Sequence, residues 1–363
     1  MNEITSVADI QRLVTEGFAD WKQLGDVSVE RDGDLLIFNY TARAQYEGRW
    51  NFFERVSRGL IINTVTGEIA ARAFDKFYNW MQDGKKSDGH VVSITEKCDG
   101  SLGILYRVNN EYRISTRGSF HSDQAEWATK FLYEHYQLDD LPNELTLLFE
   151  IIYPENRVIV DYGGRADLVL IAARNRFTGD YLPFFPDLKL IADQYHFPLP
   201  KVFSFDSIAD VIAQTGKLNA DEEGFVVEFS DGQRFKFKGD KYLELHRLVF
   251  GLSFKNTLQA VMTNQVEAIR SQIPDEFLNQ FNAWVKEIEG TRARVQSEAA
   301  EVFAQAPKDT RKDFALWVMS DHKELSSYLF AMFDGKDIEP IIYKKAFENR
   351  PNETAVSHSE DVA

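Results

Sequence analysis

A chain of 363 residues, 44% of them hydrophobic, is long enough to bury a sizeable core and to divide into two domains. A formal net charge of −16 argues against nonspecific coating of nucleic acid but leaves room for a local basic groove, and the single cysteine, Cys98, excludes an intrachain disulfide framework. No apolar run approaches the roughly 20 residues that cross a bilayer, and MNEITSVADI lacks the charged and apolar regions of a signal peptide, so a soluble cytoplasmic protein without a membrane partner is expected.

From about residue 27 to 240, short apolar runs alternate with turn signals. In chain order the strand-like runs are LLIFNY, GLIINT, HVVSITEK, SLGILYRV, EYRISTRG, LTLLFEIIY, ADLVLIAARN, EGFVVEF and RFKFKG. Helical patterns interrupt them at SDQAEWATKFLYEHY, DLKLIADQY and DSIADVIAQTG, the last with an Asp start and a Gly stop. Asn109 and Asp231 sit between strand-like runs and predict two hairpins. After Gly239 the pattern turns helical, in LQAVMTNQVEAIRSQI, EFLNQFNAWVKEIEG and DFALWVMSDHKELSSYLFAMF. The expected domains are 1–245, α+β, and 246–347, all-helical, with 348–363 a polar, disordered tail.

Chemistry concentrates at Glu96, Lys97, Cys98, Asp99, Gly100 and Ser101, between two strand-like runs. On an extended chain Lys97 and Asp99 share a face and Cys98 points away, while Gly100 permits a tight turn. A charged hairpin corner is the plain alternative. Four later segments bear on the choice: Arg117, Gly118 and Ser119; Glu150, closing an apolar run where a carboxylate is costly to bury alone; Glu223 and Gly224; and Lys236 with Lys238. Phe235 and Phe237 alternate with those lysines, so a strand puts two ammonium groups on one face and two rings on the other; a solvated lysine face is the plain reading of that feature alone. The triplet Asp221, Glu222 and Glu223 reads by itself as an acidic loop. His121, His135, His196 and His246 show no metal-ligand spacing, and neither a P-loop nor a GxGxxG loop is present.

Together, KCDGS at Lys97, RGSF at Arg117, LLFEIIYPENRVIVDY at Glu150, EEGFVVEF at Glu223 and FKFKGDKYLELH at Lys236 resemble the ordered motifs of covalent nucleotidyltransferases, the superfamily of polynucleotide ligases and mRNA capping enzymes. SRGLI at Arg58, FDKFYN at Lys76, the YPENRVIVDY extension and SDQA after RGSF are similar to the tRNA-repairing RNA ligases of T-even bacteriophages, over roughly residues 38 to 247. The resemblance implies a nucleotidyltransferase (ATP-grasp-like ligase) domain of antiparallel sheets with helices. It implies Lys97 as the nucleophile, Asp99 and Glu150 at the AMP ribose, Glu223 holding Mg²⁺ or Mn²⁺, and Lys236 and Lys238 on phosphates. Tyr40, Arg58, Lys76 and Arg117 would surround the phosphates, Tyr78 would lie on or near adenine, and Glu96 and Gly100 complete the nucleotide site. Arg117 stands where the phage pattern has lysine, and its planar guanidinium is not geometrically equivalent. The helical region shows no motif match.

The expected reaction is ATP-dependent joining of RNA 5′-phosphate and 3′-hydroxyl ends, in RNA or tRNA repair, with no obligate protein partner. A free lysine, pKa about 10.4, is neutral about once in two thousand at pH 7, so Lys97 is expected to be activated by Lys236, Lys238 and the metal. A capping guanylyltransferase or DNA ligase shares this chemistry but typically carries a β-rich domain after the last motif. A noncatalytic RNA- or nucleotide-binding module is the alternative from another class. Arg292, Arg294, Lys308, Arg311, Lys312 and Lys323 offer phosphate contacts in the helical region, where a solvated face is the simpler reading.

Overall fold

The computed structural model describes residues 4–48, 50–249, 252–270, 273 and 275–348. The chain divides into two compact units, Met1–Phe250 and Gly251–Ala363.

The first unit opens with helix α1 (Val7–Thr15), capped by Ser6, whose hydroxyl accepts the Asp9 N–H while the Asp9 carboxylate accepts the Ser6 N–H. Strands β1 (Val27–Asp32), β2 (Leu35–Tyr40), β3 (Arg58–Asn63) and β4 (Ile69–Ala71) form an antiparallel sheet in that order, with short helices α2 (Ala42–Glu47) and α3 (Phe52–Val56) between β2 and β3. Both faces of β2 and β3 are apolar because both are covered. Phe38, Leu60 and Ile62 pack with Ile10, Leu13 and Phe53, while Ile37 and Ile61 pack with Ile104, Leu148 and Ala172 of the second sheet.

That second sheet runs β10–β9–β7–β8, all antiparallel: β7 (Ser101–Val108), β8 (Glu111–Ser115), β9 (Leu145–Ile152) and β10 (Asp167–Asn175). Its other face is closed by α4 (Asp123–His135) and by Phe184, Leu188 and Phe197 around α5 (Lys189–Tyr195). The third sheet runs β5–β12–β11–β6, with β5 (Tyr78–Asn79), β6 (Val91–Glu96), β11 (Gly224–Phe229) and β12 (Arg234–Lys238). Only the short β5 runs parallel, beside β12. Val211 of α6 (Ile208–Thr215) and the rings of Phe203 and Phe205 cover its core of Ile94, Phe225, Val227, Phe235 and Phe237. Helix α7 (Asp240–Val249) follows β12, and Tyr242 and Leu243 pack on Ile159 and Val160 of the loop after β9.

The chain therefore leaves the third sheet at Glu96 and enters the second at Ser101, so residues 97–100 are a linker between two sheets. This corrects the expectation of an extended chain with Lys97 and Asp99 on one face, because strand geometry ends at Glu96.

The second unit contains α8 (Phe254–Met262), α9 (Val266–Arg270), α10 (Asp275–Gln305), α11 (Arg311–Asp321), α12 (Ser326–Phe333) and α13 (Glu339–Glu348). Its cores gather Phe254, Leu258, Phe281, Trp284 and Tyr343, and Phe314, Val318 and Leu329. The α+β domain of antiparallel sheets and the helical region after it are as the sequence predicts. Both hairpins form, β7–β8 over Asn109 and Asn110 in left-handed conformation and β11–β12 over Gly232.

Three local readings change. Helix α6 is capped by Ser207, whose hydroxyl accepts the Asp210 N–H, rather than by Asp206. The run 313–333 is two helices separated by a 3₁₀ turn at Lys323–Leu325, and 258–273 breaks between α8 and α9, where Asn264 has φ +55. Helix α7 runs across the expected boundary at 245/246, and residues after Glu348, the expected tail, lie outside the described residues.

Candidate active site

The linker between the sheets is held at every residue. The Lys97 N–H donates to the Gly224 carbonyl at 2.8 Å, the Asp99 N–H to the Tyr162 hydroxyl at 2.7 Å and the Gly100 N–H to Glu150 Oε1 at 3.0 Å. A β-carbon on Gly100 would lie 2.5 Å from the Ile151 carbonyl oxygen, so glycine here permits close approach of the linker to β9. Cys98 points into an apolar cluster with Ile152 and Val169, and burial raises its thiol pKa far above the usual range.

Lys97 Nζ meets Glu223 Oε2 at 2.8 Å, and Lys238 Nζ lies 3.3 Å from Glu223 Oε1. One carboxylate, 4% exposed, thus bridges the lysine of the linker and the lysine that ends β12. Glu223 is placed there because Gly224, at φ +144, starts β11 directly opposite Lys238, with no room for a β-carbon against the Phe237 carbonyl. Glu150 projects from β9 between Leu102 and Val169 on its neighbouring strands. Burial raises its pKa to about 7, with Lys97 pulling the other way and Glu223 and Asp99 adding to the rise.

Burial pulls the Lys97 pKa down, and Lys238 pulls with it, but the Glu223 carboxylate and Glu150 outweigh them and hold it above the ordinary lysine value. The activation expected from Lys236, Lys238 and a metal together is thus not supplied by Lys238 alone: without the metal, protein groups favour the ammonium form of Lys97.

The carboxylate beside Lys97 is Glu223 and not Asp99, a second correction. Asp99 Oδ2 accepts the Ile159 and Val160 N–H groups at 2.8 Å each, and Oδ1 accepts the Tyr242 hydroxyl at 2.8 Å. With three donors on a carboxylate only 5% exposed, Asp99 ties α7 and the loop after β9 to the linker. Ser101 and Asn156 extend this clamp at 3.0 Å.

The alternation predicted for β12 is observed, with Phe235 and Phe237 in the core and Lys236 and Lys238 on the opposite, half-buried face. That face is not simply solvated: Lys238 joins Glu223, and Lys236 Nζ lies 5.8 Å from the Phe77 ring centroid. Arg58, at the start of β3, lies 5.5 Å from the same ring. Lys76 Nζ sits among the rings of Trp50 at 5.0 Å, Tyr40 at 5.4 Å and Tyr78 at 5.7 Å. Arg117 lies over Tyr40 at 5.1 Å and donates to its hydroxyl at 3.3 Å. The loop carrying Arg117 is pinned to β1 through Glu30 Oε1, which accepts from the Ser119 hydroxyl and the Phe120 N–H. Glu96 closes β6, and its carboxylate accepts the Lys201 N–H at 3.4 Å.

Sequence reasoning missed Trp50 and Tyr242. Tyr242 lay within FKFKGDKYLELH, yet nothing in that string shows that its hydroxyl reaches Asp99. His246, read as an ordinary core or surface residue, is buried beside Tyr242, and burial followed by Lys238 lowers its pKa. In the second unit Arg292, Arg294 and Arg311 lie against Glu339, Glu298 and Asp334, and Lys308 over Phe303.

A lysine on the linker between two sheets faces a carboxylate at the foot of β11 and a lysine at the end of β12, and the sequence matches that follow assign the chain to the covalent nucleotidyltransferase superfamily. The sequence pattern of the RNA ligase family matches residues 56–242, just over half of the chain, and the chain belongs to that family. Over 247 residues it is 29% identical to a putative bifunctional polynucleotide kinase/RNA ligase of Autographa californica nuclear polyhedrosis virus, an alignment covering 59% of this chain and 34% of that protein. The chain thus spans about a third of the length of this relative. An RNA ligase of Rhodothermus phage RM378 is 23% identical, with 84% and 86% of the two chains covered. An archaeal ATP-dependent RNA ligase superposes with a TM-score of 0.49 at 17% identity, over 82% of this chain and 83% of that one.

Proposed function

We propose that the protein is an ATP-dependent RNA ligase that joins 5′-phosphate and 3′-hydroxyl RNA ends through a lysyl-AMP on Lys97. The observation that carries this reading is the Glu223 carboxylate, which holds Lys97 and Lys238 through its two oxygens. A structural ion pair needs one cation. Two cations converge on one buried carboxylate, and the neighbouring Glu150 resists ionisation through its burial, an arrangement that suits a phosphate.

In the first step neutral Lys97 Nζ attacks the α-phosphorus of ATP; a P–N bond forms, the P–O bond to pyrophosphate breaks, and the amine gives up its proton. An oxygen of the RNA 5′-phosphate then attacks the lysyl-AMP phosphorus, breaking the P–N bond and returning the amine. Attack of the 3′-hydroxyl on the activated 5′-phosphorus expels AMP and seals the strand. Lys236 and Lys238 hold the phosphates, with Arg58, Lys76, Arg117 and Tyr40 around the leaving group. Glu150 faces the ribose, Tyr78 lies near adenine, and Glu96 and Gly100 complete the nucleotide site.

Among the described residues no group of three or more His, Cys, Asp or Glu side chains is set to hold a metal. Glu223 would hold Mg²⁺ or Mn²⁺ in the usual manner of phosphoryl-transfer sites, one carboxylate with water and substrate phosphate. Held there, the ion would supply charge neutralisation at the phosphate and would compete with Lys97 for the Glu223 carboxylate.

The test is incubation with α-labelled ATP and Mg²⁺, then denaturing electrophoresis, after mass measurement shows no adenylate already attached. Wild type takes the label; Lys97→Ala does not, and neither does Lys97→Arg, whose guanidinium stays protonated. Label on either variant, or label from GTP in place of ATP, overturns the reading. The use we propose is RNA repair with tRNA among the substrates, in the cytoplasm.

A further inference from the structure

Two charged residues that no motif assigns a role meet where the three sheets join. Arg174 closes the apolar run of β10, is 3% exposed, and holds Asp75 of FDKFYN with both ends of its guanidinium, Nη1 to Oδ1 and Nη2 to Oδ2 at 2.9 Å each. Nη1 also donates to the Ala73 carbonyl, and Nε to the Gly179 carbonyl at 2.7 Å. Residues 72–77 form a strap that leaves β4 in the first sheet and enters the third at β5. A guanidinium from the second sheet thus grips this strap in mid-span. Tyr181, in the loop after β10, adds to the grip. Its hydroxyl accepts the Asp75 N–H at 3.3 Å, its ring stacks on Phe74 at 5.6 Å, and Arg174 at 4.5 Å and Arg234 of β12 at 4.0 Å lie against the same ring.

A buried guanidinium is costly without an anion, so Arg174 needs Asp75, and a carboxylate held through both oxygens has little freedom to turn. Lys76 follows directly along the chain. The rings of Phe74 and Phe77, on either side of Asp75 and Lys76, underlie Arg58 at 5.9 Å and 5.5 Å. Fixing Asp75 therefore fixes the strap under two of the cations proposed around the leaving phosphates. Lys97, Glu223 and Lys238 are held by other contacts, among the linker, β11 and β12. We infer that Arg174 and Asp75 are positioning residues for lysyl-AMP formation, their bidentate pair setting Lys76 and Arg58 for the outgoing phosphates of ATP; this rests on the reading of the Lys97 site as a nucleotidyltransferase. Lysine in place of Arg174 keeps the charge but cannot span both carboxylate oxygens in one plane.

Asp75→Asn keeps the size of the side chain and removes the charge, while Arg174→Lys keeps the charge and removes the fork. Both variants, and the double variant, are compared in lysyl-AMP formation over a range of ATP concentrations and in sealing of chemically prepared 5′-adenylylated RNA, which has no pyrophosphate to lose. Each single variant is expected to lower kcat/KM for ATP at least about tenfold, as a small misplacement of binding groups does. Most of that loss is in KM, since the groups at the reacting phosphorus are untouched. Sealing stays within about twofold of wild type, and the double variant is no worse than the poorer single one, because both changes break the same pair. Asp75, 39% exposed, is the milder site and supplies the readout if Arg174→Lys does not fold. An unchanged KM for ATP in folded Asp75→Asn overturns the inference, as does a double variant whose loss is the product of the two single losses. So does an equal loss in labelling and sealing, which would make the pair part of the scaffold. Absence of lysyl-AMP in wild type would instead sink the parent reading.

Discussion

At the scale of single residues, the contact between Lys97 and Glu223 has a functional consequence that its geometry alone does not show. A buried lysine ordinarily loses charge, yet this one is held above the usual lysine value by the carboxylate 2.8 Å away. The proposed attack on phosphorus needs the neutral amine, so on that proposal Lys97 is held protonated in the absence of nucleotide and metal, and its reactivity rises with pH. Glu223→Gln removes the opposing charge and leaves burial and Lys238 to act downward, with only Glu150 still raising the value. The expected outcome is a shift of the Lys97 titration to lower pH, read from the pH dependence of its modification by an amine-directed reagent and located by peptide mass. The variant is nevertheless expected to be poor in lysyl-AMP formation, since the carboxylate proposed to hold the metal is gone. An unchanged titration would show that Glu223 does not set the charge state of Lys97.

At the scale of elements, the site depends on two close approaches between backbones: the linker against β9 at Gly100, and the start of β11 against β12 at Gly224. Gly224→Ala would place a methyl 1.9 Å from the Phe237 carbonyl oxygen in a backbone conformation, φ +144, that other residues rarely adopt. The hairpin must open there, which moves Glu223 away from Lys238 and costs about 1–3 kcal/mol for strained backbone. Thermal unfolding is expected to shift down by several degrees and lysyl-AMP formation to fall together with it; wild-type labelling by this variant would show that the site tolerates an open hairpin. The strands themselves were legible, because LLIFNY, LTLLFEIIY and RFKFKG carry their patterns locally and Asn109 and Asp231 mark turns. The convergence of Lys97, Glu150, Glu223 and Lys238 was legible only through the order of their motifs. The partner of Lys97 was misassigned for a physical reason: alternation along a strand was extended past Glu96, where β6 ends and the chain crosses between sheets. No local pattern announces that crossing. Asp99 likewise reads as an acid beside a lysine, while its donors come from Ile159, Val160 and Tyr242, far along the chain.

At the scale of the whole molecule, every residue of the proposed adenylylation site lies in the first compact unit, and the helices after Gly251 form apolar cores of their own. Apolar cores within each unit predict that the first unit folds on its own. A fragment ending at Phe250 keeps α7 and with it the bond from Tyr242 to Asp99, whereas one ending at 245 cuts α7 and removes the buried His246. The 1–250 fragment is therefore expected to unfold cooperatively and to form lysyl-AMP from labelled ATP at a rate close to that of the full chain, and the 1–245 fragment to do so less well. If the helical unit selects the RNA, the full chain seals a tRNA broken within a loop faster than an unstructured RNA of the same length, and the 1–250 fragment loses that preference while retaining the label. Equal preference in fragment and full chain would move substrate choice into the first unit, and failure of the 1–250 fragment to take the label would make the helices part of the first chemical step.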